Sequence, residues 1–540
     1  MTHFKAVKVI SLLREAREKN ILISREDNDL KIRCKKELMS QGFLETLKRY
    51  KNDILSYLIL SEKWKNAKSP LLKIIASPVQ PIEKQSHYDT MHQQEKEYLR
   101  FLITGKNTSN AQFTVYFKNL KKGVLEDALS SIFQRHESLR TTFINIYGDV
   151  RQVVHEYKRS KDEISYIDLS AMEEKEIIEI ATKELNAYSF DLERGPLVSV
   201  KVIQLPQDIS VLVFTMNHVI SDGESIEILK REIDMLYSAY LEKGKNPLPP
   251  LKLQYKDYSN WINMITNSEE GKICWDLYKQ MISESLSKER EDDKRSYRSG
   301  LEREMRAISK ENSSNVCIDA AYGKVVTLTP EAGAMYTIFV DERCCNKLKG
   351  LSVVCNVSLF TILISAFASV FYRKNRKSVR LSIPFSTRVV EEFQCIIGWL
   401  TQDLIICIDI EEDMSVMEFI EVINNIIWES SDFRFYPHER IMKDLDVPLN
   451  LLAPGYINFL KKPNYVIGDF HSFHSTHGKG IFDIKCIASE CKNGIVIEMQ
   501  YNINKYCRNE IEQIGHKLLS ILEKITIDHG LSLKSILTEK

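Results

Sequence analysis

The chain has 540 residues, 44% of them apolar and 27% charged, and 74 Lys and Arg balance 74 Asp and Glu. That length exceeds what one core serves and predicts two to four folded units of ordinary globular composition. A formal net charge of zero argues against a general nucleic-acid binder, and no run of roughly 18 uncharged apolar residues argues for a membrane span.

Residues 1–61 read as a small unit of their own. Phe4, Val7, Ile10 and Leu13 recur at helical spacing. Two short β-prone runs follow, "ILI" (21–23) and "LKIRC" (30–34), separated by the polar turn "SREDND"; then Phe43, Leu44, Leu47, Ile54, Leu55 and Leu58 mark one or two further helices. The first 60 residues hold thirteen Lys/Arg against eight Asp/Glu, a local excess of five positive charges within a neutral chain. One reading is a solvated basic face. The other is a platform on which Leu30, Lys31, Ile32, Arg33, Lys35 and Lys36 receive an acidic peptide, the strand edge adding backbone hydrogen bonds. The order αββαα, closed by "GFLETLKRYKNDILSYL", resembles the docking domains of megaenzyme subunits of the tubulysin-synthetase type. The resemblance implies that this unit binds the C-terminal peptide of an upstream subunit.

Residues 62–80 carry Pro70 and Pro78 with little periodicity and read as a linker. From 81 to 250 strand-like and helical segments alternate, and a second α/β stretch extends over 251–540. Within it, 276–316 is dense in charges of both signs and is expected to be a surface excursion. The eleven cysteines show no CxxC or zinc-like spacing, so reduced thiols are expected, and with no signal-peptide-like segment at the start the location expected is cytoplasmic. "HSFHSTH" spaces His471, His474 and His477 three apart, but without a nearby Cys or acidic partner a polar loop is favoured over a metal site. Neither GxGxxG nor GxxxxGK[ST] occurs.

One short stretch concentrates the chemistry. "SVLVFTMNHVI" (210–220) has the β-branched and aromatic content of a buried strand. Alternation places Phe214, Met216 and His218 on one face, with Val213, Thr215 and Asn217 on the other. "SDG" then breaks the strand, and Ser221 or Asp222 is placed to cap the helix that begins with "ESIEILKREIDMLYSAY". His218 thus stands where a strand turns into a helix. By itself such a histidine is more often structural than catalytic.

Its surroundings change the reading. H-x-x-x-D-G after an apolar strand resembles the signature of acyltransferases related to chloramphenicol acetyltransferase, among them the condensation domains of nonribosomal peptide synthetases, which usually show a doubled histidine. "LEDALSSIFQRHESLRTTF" (125–143), "FDLERGPLVSVKV" (190–202), "YKDYSNWIN" (255–263), "VSLFTILISAFASVFYR", "SIPFSTR" and "IIGWLTQDLIICIDI" (357–410), "YPHERIMKDLDV" (436–447) and "FDIKCIASECKNGIVIEMQYN" (482–502) follow that family's motifs in order. The likeness covers roughly residues 80–530. It implies an α/β fold of two chloramphenicol-acetyltransferase-like lobes, 81–250 and 251–540, arranged as a V-shaped pseudo-dimer.

The resemblance also implies roles. His218 takes the place of the functional histidine, Asp222 that of a structural acid paired with Arg388, and no bound cofactor or metal is needed. The acyl thioester arrives on a partner carrier's 4'-phosphopantetheine. An imidazole is suited to accept a proton from an attacking amine near neutral pH. Gly223 is expected to allow close backbone approach, with its N–H available to an oxyanion, and Ser225 to cap the helix. Asn217 departs from the pattern, standing where the family has its first histidine. With no adenylation or carrier motif in the sequence, the expected acceptor is a free small amine and the expected role is chain release. The alternatives are an acceptor on another protein's carrier, epimerisation, a stand-alone acyltransferase using soluble thioesters, and an inactive scaffold.

Overall fold

The computed structural model describes, apart from short gaps and isolated positions, residues 21–58, 77–173, 189–287, 333–460 and 482–537. In the N-terminal unit, β1 (Leu22–Glu26) and β2 (Asp29–Arg33) form an antiparallel hairpin with Leu22 opposite Arg33. Helix α1 (Gln41–Arg49) is capped by Ser40, whose hydroxyl accepts from the Phe43 N–H at 3.3 Å. Leu12, Ala16, Ile21, Phe43, Leu47 and Ile54 make a small core, and Leu30 and Ile32 pack against it. Strand alternation therefore turns Lys31 and Arg33 away from that core. Of the six residues expected on the docking surface, Leu30 and Ile32 are committed to packing. Lys35 and Lys36, and residues 62–74 of the expected linker, lie outside the described residues.

The first half of the larger unit contains β3 (Tyr88–Asp89), α2 (His92–Thr104), β4 (Asn110–Lys118), α3 (Lys122–Arg135), β5 (Thr141–Ile146), β6 (Asp149–Val154), β7 (Ile164–Asp168), β8 (Val198–Leu205), β9 (Ile209–Asn217) and α4 (Gly223–Leu241). Its main sheet runs β4-β9-β8-β7. β9 is buried along nearly its whole length, as a central strand covered on both faces should be. Phe214 stacks on Phe113 from β4 at 5.2 Å and on Phe133 from α3 at 6.3 Å, which locks β9 under the helices. This inner strand delivers the stretch that carries His218.

Helices α5 (Tyr255–Asn267) and α6 (Glu269–Ser287) lead into the second half. There β10 (Val316–Asp319) pairs with β11 (Lys324–Thr327), and a six-stranded sheet runs in the order β12 (Gly333–Asp341), β17 (Gly494–Asn502), β16 (Ile484–Cys491), β15 (Gly455–Leu460), β13 (Ser378–Ser386), β14 (Thr401–Asp409). One face buries Ile338, Leu381, Ile406, Ile457, Ile484 and Met499 against helices α7 (Glu342–Val354), α8 (Leu359–Phe371), α9 (Val416–Ser430) and α10 (Arg508–Ile525). The register places Tyr456, Lys485 and Gln500 side by side on the other face.

The stretch expected as a surface excursion from residue 276 begins instead inside α6. Tyr278, Ile282 and Ser285 are buried there, and the Tyr278 hydroxyl donates to the Ile405 carbonyl on β14 at 3.0 Å. Its apolar residues recur at three- and four-residue steps, so charges on the other face hid a packed helix. Residues 288–315 lie outside the described residues, as do His471, His474 and His477. Among the described residues no single helix is long and apolar enough to cross a membrane, and α7 with α8 passes that test only as a pair bent by 107°. Nor, among them, do three or more His, Cys, Asp or Glu side chains gather as metal ligands would.

Candidate active site

Strand β9 stops at Asn217 because that side chain ends it. Its Oδ1 accepts from the Val219 N–H at 3.0 Å, and the Ser221 hydroxyl donates to the Asn217 carbonyl at 3.0 Å. The backbone folds into a 3-10 turn over His218–Ile220. The His218 N–H still reaches the Ser109 carbonyl at 2.7 Å, but the pleat has ended, so the expectation that His218 continues the Phe214 and Met216 face is corrected. Asn217 is fully buried and His218 is only partly so. The residue at the first-histidine place thus works as a turn cap, a role that an amide fills well.

The His218 ring lies against Trp399, with centroids 4.5 Å apart and planes at 57°. Its Nδ1 is buried without a hydrogen-bond partner among the described residues, leaving Nε2 as the nitrogen on the open side. Burial lowers the pKa of the ring, and the Lys485 charge acts in the same direction. Together they outweigh the ring's own carbonyl and the carboxylates of Asp222 and Glu97. The imidazole is therefore neutral at neutral pH and able to take up a proton.

A pH dependence follows. The acidic limb of kcat/KM for acyl transfer reports protonation of free-enzyme His218, and lies below its ordinary value of 6.5. Initial rates between about pH 5 and 8 check this; a limb at or above 6.5 contradicts it.

Asp222 has no lone pair to spare for substrate. It caps α4 by accepting from the Ser225 N–H at 2.8 Å. It also receives both forks of Arg388, at 2.7 and 2.9 Å, together with the Leu400 N–H at 2.9 Å and the Thr401 hydroxyl at 3.1 Å. Burial alone would raise its pKa, but the Arg388 charge and these hydrogen bonds hold it below the ordinary value. Arg388 also donates to the Ile396 carbonyl at 3.2 Å. This buried pair ties the head of α4 to residues 388–401 of the second half.

Ser225 completes the cap: its hydroxyl lies 2.7 Å from the Asp222 carboxylate and accepts from the Gly398 N–H at 3.1 Å. Gly398 itself is obligatory, because a Cβ there would overlap the Tyr255 ring. Gly223 differs. A Cβ at that position meets nothing within 4 Å, so the close approach expected at Gly223 is not to another part of the described chain.

The side chains that surround His218 include four that were not singled out from sequence. Trp399 comes from the stretch between β13 and β14. Gln93 and Glu97, one turn apart on α2, are nearly fully buried, with Gln93 Nε2 and Glu97 Oε2 unpartnered. Lys485 comes from β16. Only Trp399 and Lys485 sat within quoted motifs, and nothing local marked them as neighbours of His218.

The Condensation domain family matches residues 84–310 and 331–538. This chain belongs to that family. Among curated relatives, the condensation-domain chain is 23% identical over 492 residues to bacitracin synthase 1 of Bacillus licheniformis, covering 86% of this chain and 9% of that protein. It is 23% identical over 473 residues to gramicidin S synthase 2 of Brevibacillus brevis, covering 85% and 10%. It therefore spans no more than a tenth of the length of either. Solved structures share the mixed α/β fold. The condensation domain of chain release from the enacyloxin polyketide synthase matches with a TM-score of 0.65 at 15% identity, covering 96% of this chain and 95% of that one. The X-domain from teicoplanin biosynthesis matches at 0.64 and 16%, covering 86% and 100%. The epimerization domain from the third module of tyrocidine synthetase B matches at 0.61 and 14%, covering 84% and 100%. Condensation domains of nonribosomal synthetases form amide bonds by acyl transfer from substrates carried on a partner's phosphopantetheine arm, without a cofactor of their own.

Proposed function

We propose that this condensation-domain chain docks to an upstream synthetase through residues 1–61 and transfers a carrier-bound acyl or peptidyl thioester to a free small amine, releasing the chain as an amide in the cytoplasm. The observation that carries the reading is His218: a neutral imidazole held against Trp399, with one nitrogen facing open space where the two halves meet. A thioester is already activated, so the site has to align an amine, take its proton and stabilise the developing oxyanion. The open space beside Gly223 suits the approach of a pantetheine arm, with the backbone N–H at the head of α4 as a donor.

Docking has separate support. The match to the enacyloxin chain-release domain covers 96% of this chain, against 84–86% for the other two, so that likeness in fold extends into the N-terminal unit. Lys31 and Arg33 lie on the side of the hairpin away from its core and suit an acidic peptide, although Lys31 is already paired with Glu26.

The test mixes the full chain with an acyl-loaded carrier and a panel of amines, and reads products by mass spectrometry. Amide mass together with unloaded carrier is expected. The double variant Lys31→Glu/Arg33→Glu raises the KM for an upstream carrier bearing its own C-terminal tail and leaves that for a tailless carrier unchanged. Racemised donor without amide favours epimerisation, and docking without turnover favours a scaffold.

A further inference from the structure

Lys485 is a cation in a place that is costly for one. Its neighbours Ile484 and Cys486 point into the helix-covered core, so Lys485 points to the opposite face, beside Tyr456 and Gln500. Its ammonium sits 5.2 Å from the centre of the Tyr456 ring. Among the described residues it makes no hydrogen bond or ion pair. Burial lowers its pKa, and the acid that partly offsets this is Asp403. An unpaired ammonium in such a setting costs several kcal/mol unless an anion joins it. A methionine would fill the same space without that cost.

Lys485 is also close enough for its charge to act on His218. From the first half, Glu97 acts on the same ring with opposite sign and leaves Oε2 unpartnered. The space around the histidine is thus bordered by a cation without a counter-ion on one side and a carboxylate oxygen without a donor on the other.

We infer that the amine acceptor also carries a carboxylate: it belongs to the amino-acid class, its carboxylate pairing with Lys485 and its ammonium entering against Glu97. This rests on the free-amine reading above. The ammonium loses one proton to solvent on settling. The neutral nitrogen then attacks the thioester carbonyl, and the C–N bond forms as the C–S bond breaks. The second proton passes through His218 to the departing pantetheine thiolate. Lys485 is a specificity-determining residue in this scheme.

The experiment titrates the full chain by calorimetry with α-, β- and γ-amino acids and with the matching primary amides, which lack the carboxylate. The expected result is that at least one free acid binds about tenfold or more tighter than its amide, as one charge-assisted contact allows. Lys485→Met brings that ratio to within about twofold, and Lys485→Arg keeps most of it. Glu97→Gln weakens acid and amide alike. Acids and amides binding equally, or no binding of any acid, overturns the inference. So does a Lys485→Met variant that keeps the ratio while losing turnover with every acceptor, because the lysine then serves the oxyanion. Should the carboxylate preference hold while no amine is acylated, the anion site stands and the amide-release reading fails.

Discussion

Replacing His218 by alanine lowers the rate of amide formation by about 10²–10⁴-fold, the range that one positioned proton acceptor supplies. The fold should barely register the change. The ring is only partly buried, its Nδ1 holds no partner among the described residues, and the turn that carries it is held by Asn217, Ser221 and the Ser109 carbonyl. The melting transition therefore stays near that of the parent protein, and tail-dependent carrier docking survives. His218→Gln divides two roles of the ring. It keeps a hydrogen-bonding group near the attacking amine but cannot take its proton at neutral pH. A glutamine variant as slow as the alanine variant marks His218 as a base; one within about tenfold of the parent marks it as a positioning group. Full activity in the alanine variant would leave the chemistry without its centre.

What the sequence made legible was local. Nine residues of β-branched and aromatic character foretold β9, and S-D-G followed by an amphipathic run foretold the start of α4 and its Asp222 cap. Both are short-range effects, pleat alternation and capping, and both survive in the fold. The side of His218 was misjudged for an equally local reason. Alternation holds only while the pleat lasts, and the Asn217 side chain closes it one residue early. The rest of the site is long-range. Trp399 is 181 positions from His218, and Lys485 comes from a strand whose inward and outward faces are set by its pairing with β15 and β17. Neither pairing can be read from periodicity, because β16 and β17 are half-buried on one face and fully buried on the other. Glu97 hid among six polar residues at the start of α2, where a solvated face is the ordinary expectation. Arg388 was the exception: its role came through motif likeness, and its geometry then supplied the reason.

That geometry sets the second large effect. Arg388→Met should destabilise the protein by about 3–5 kcal/mol, the usual cost of stranding one member of a buried pair. Both side chains are 1% exposed, and Asp222 would keep its charge while losing two hydrogen bonds. Asp222→Ala should cost at least as much, since it also removes the α4 cap and the acceptor of the Leu400 N–H and Thr401 hydroxyl. Denaturant midpoints at neutral pH measure both. The double variant Asp222→Asn/Arg388→Met separates charge from packing. If the cost is the stranded charge, the double variant recovers part of the loss, because no bare ion remains in the seam; the two changes are then non-additive. If the pair matters chiefly as a clamp, holding residues 388–401 against α4 and so Trp399 against His218, stability recovers while activity stays low. The clamp reading is favoured because the neighbouring contacts work along the same line: Ser225 with Gly398, and the Ser138 hydroxyl with the Ile397 carbonyl. With those contacts intact but the ion pair gone, the loop still docks, yet Trp399 loses its fixed distance to the imidazole. A double variant that regains both stability and turnover would show that the pair contributes charge balance alone.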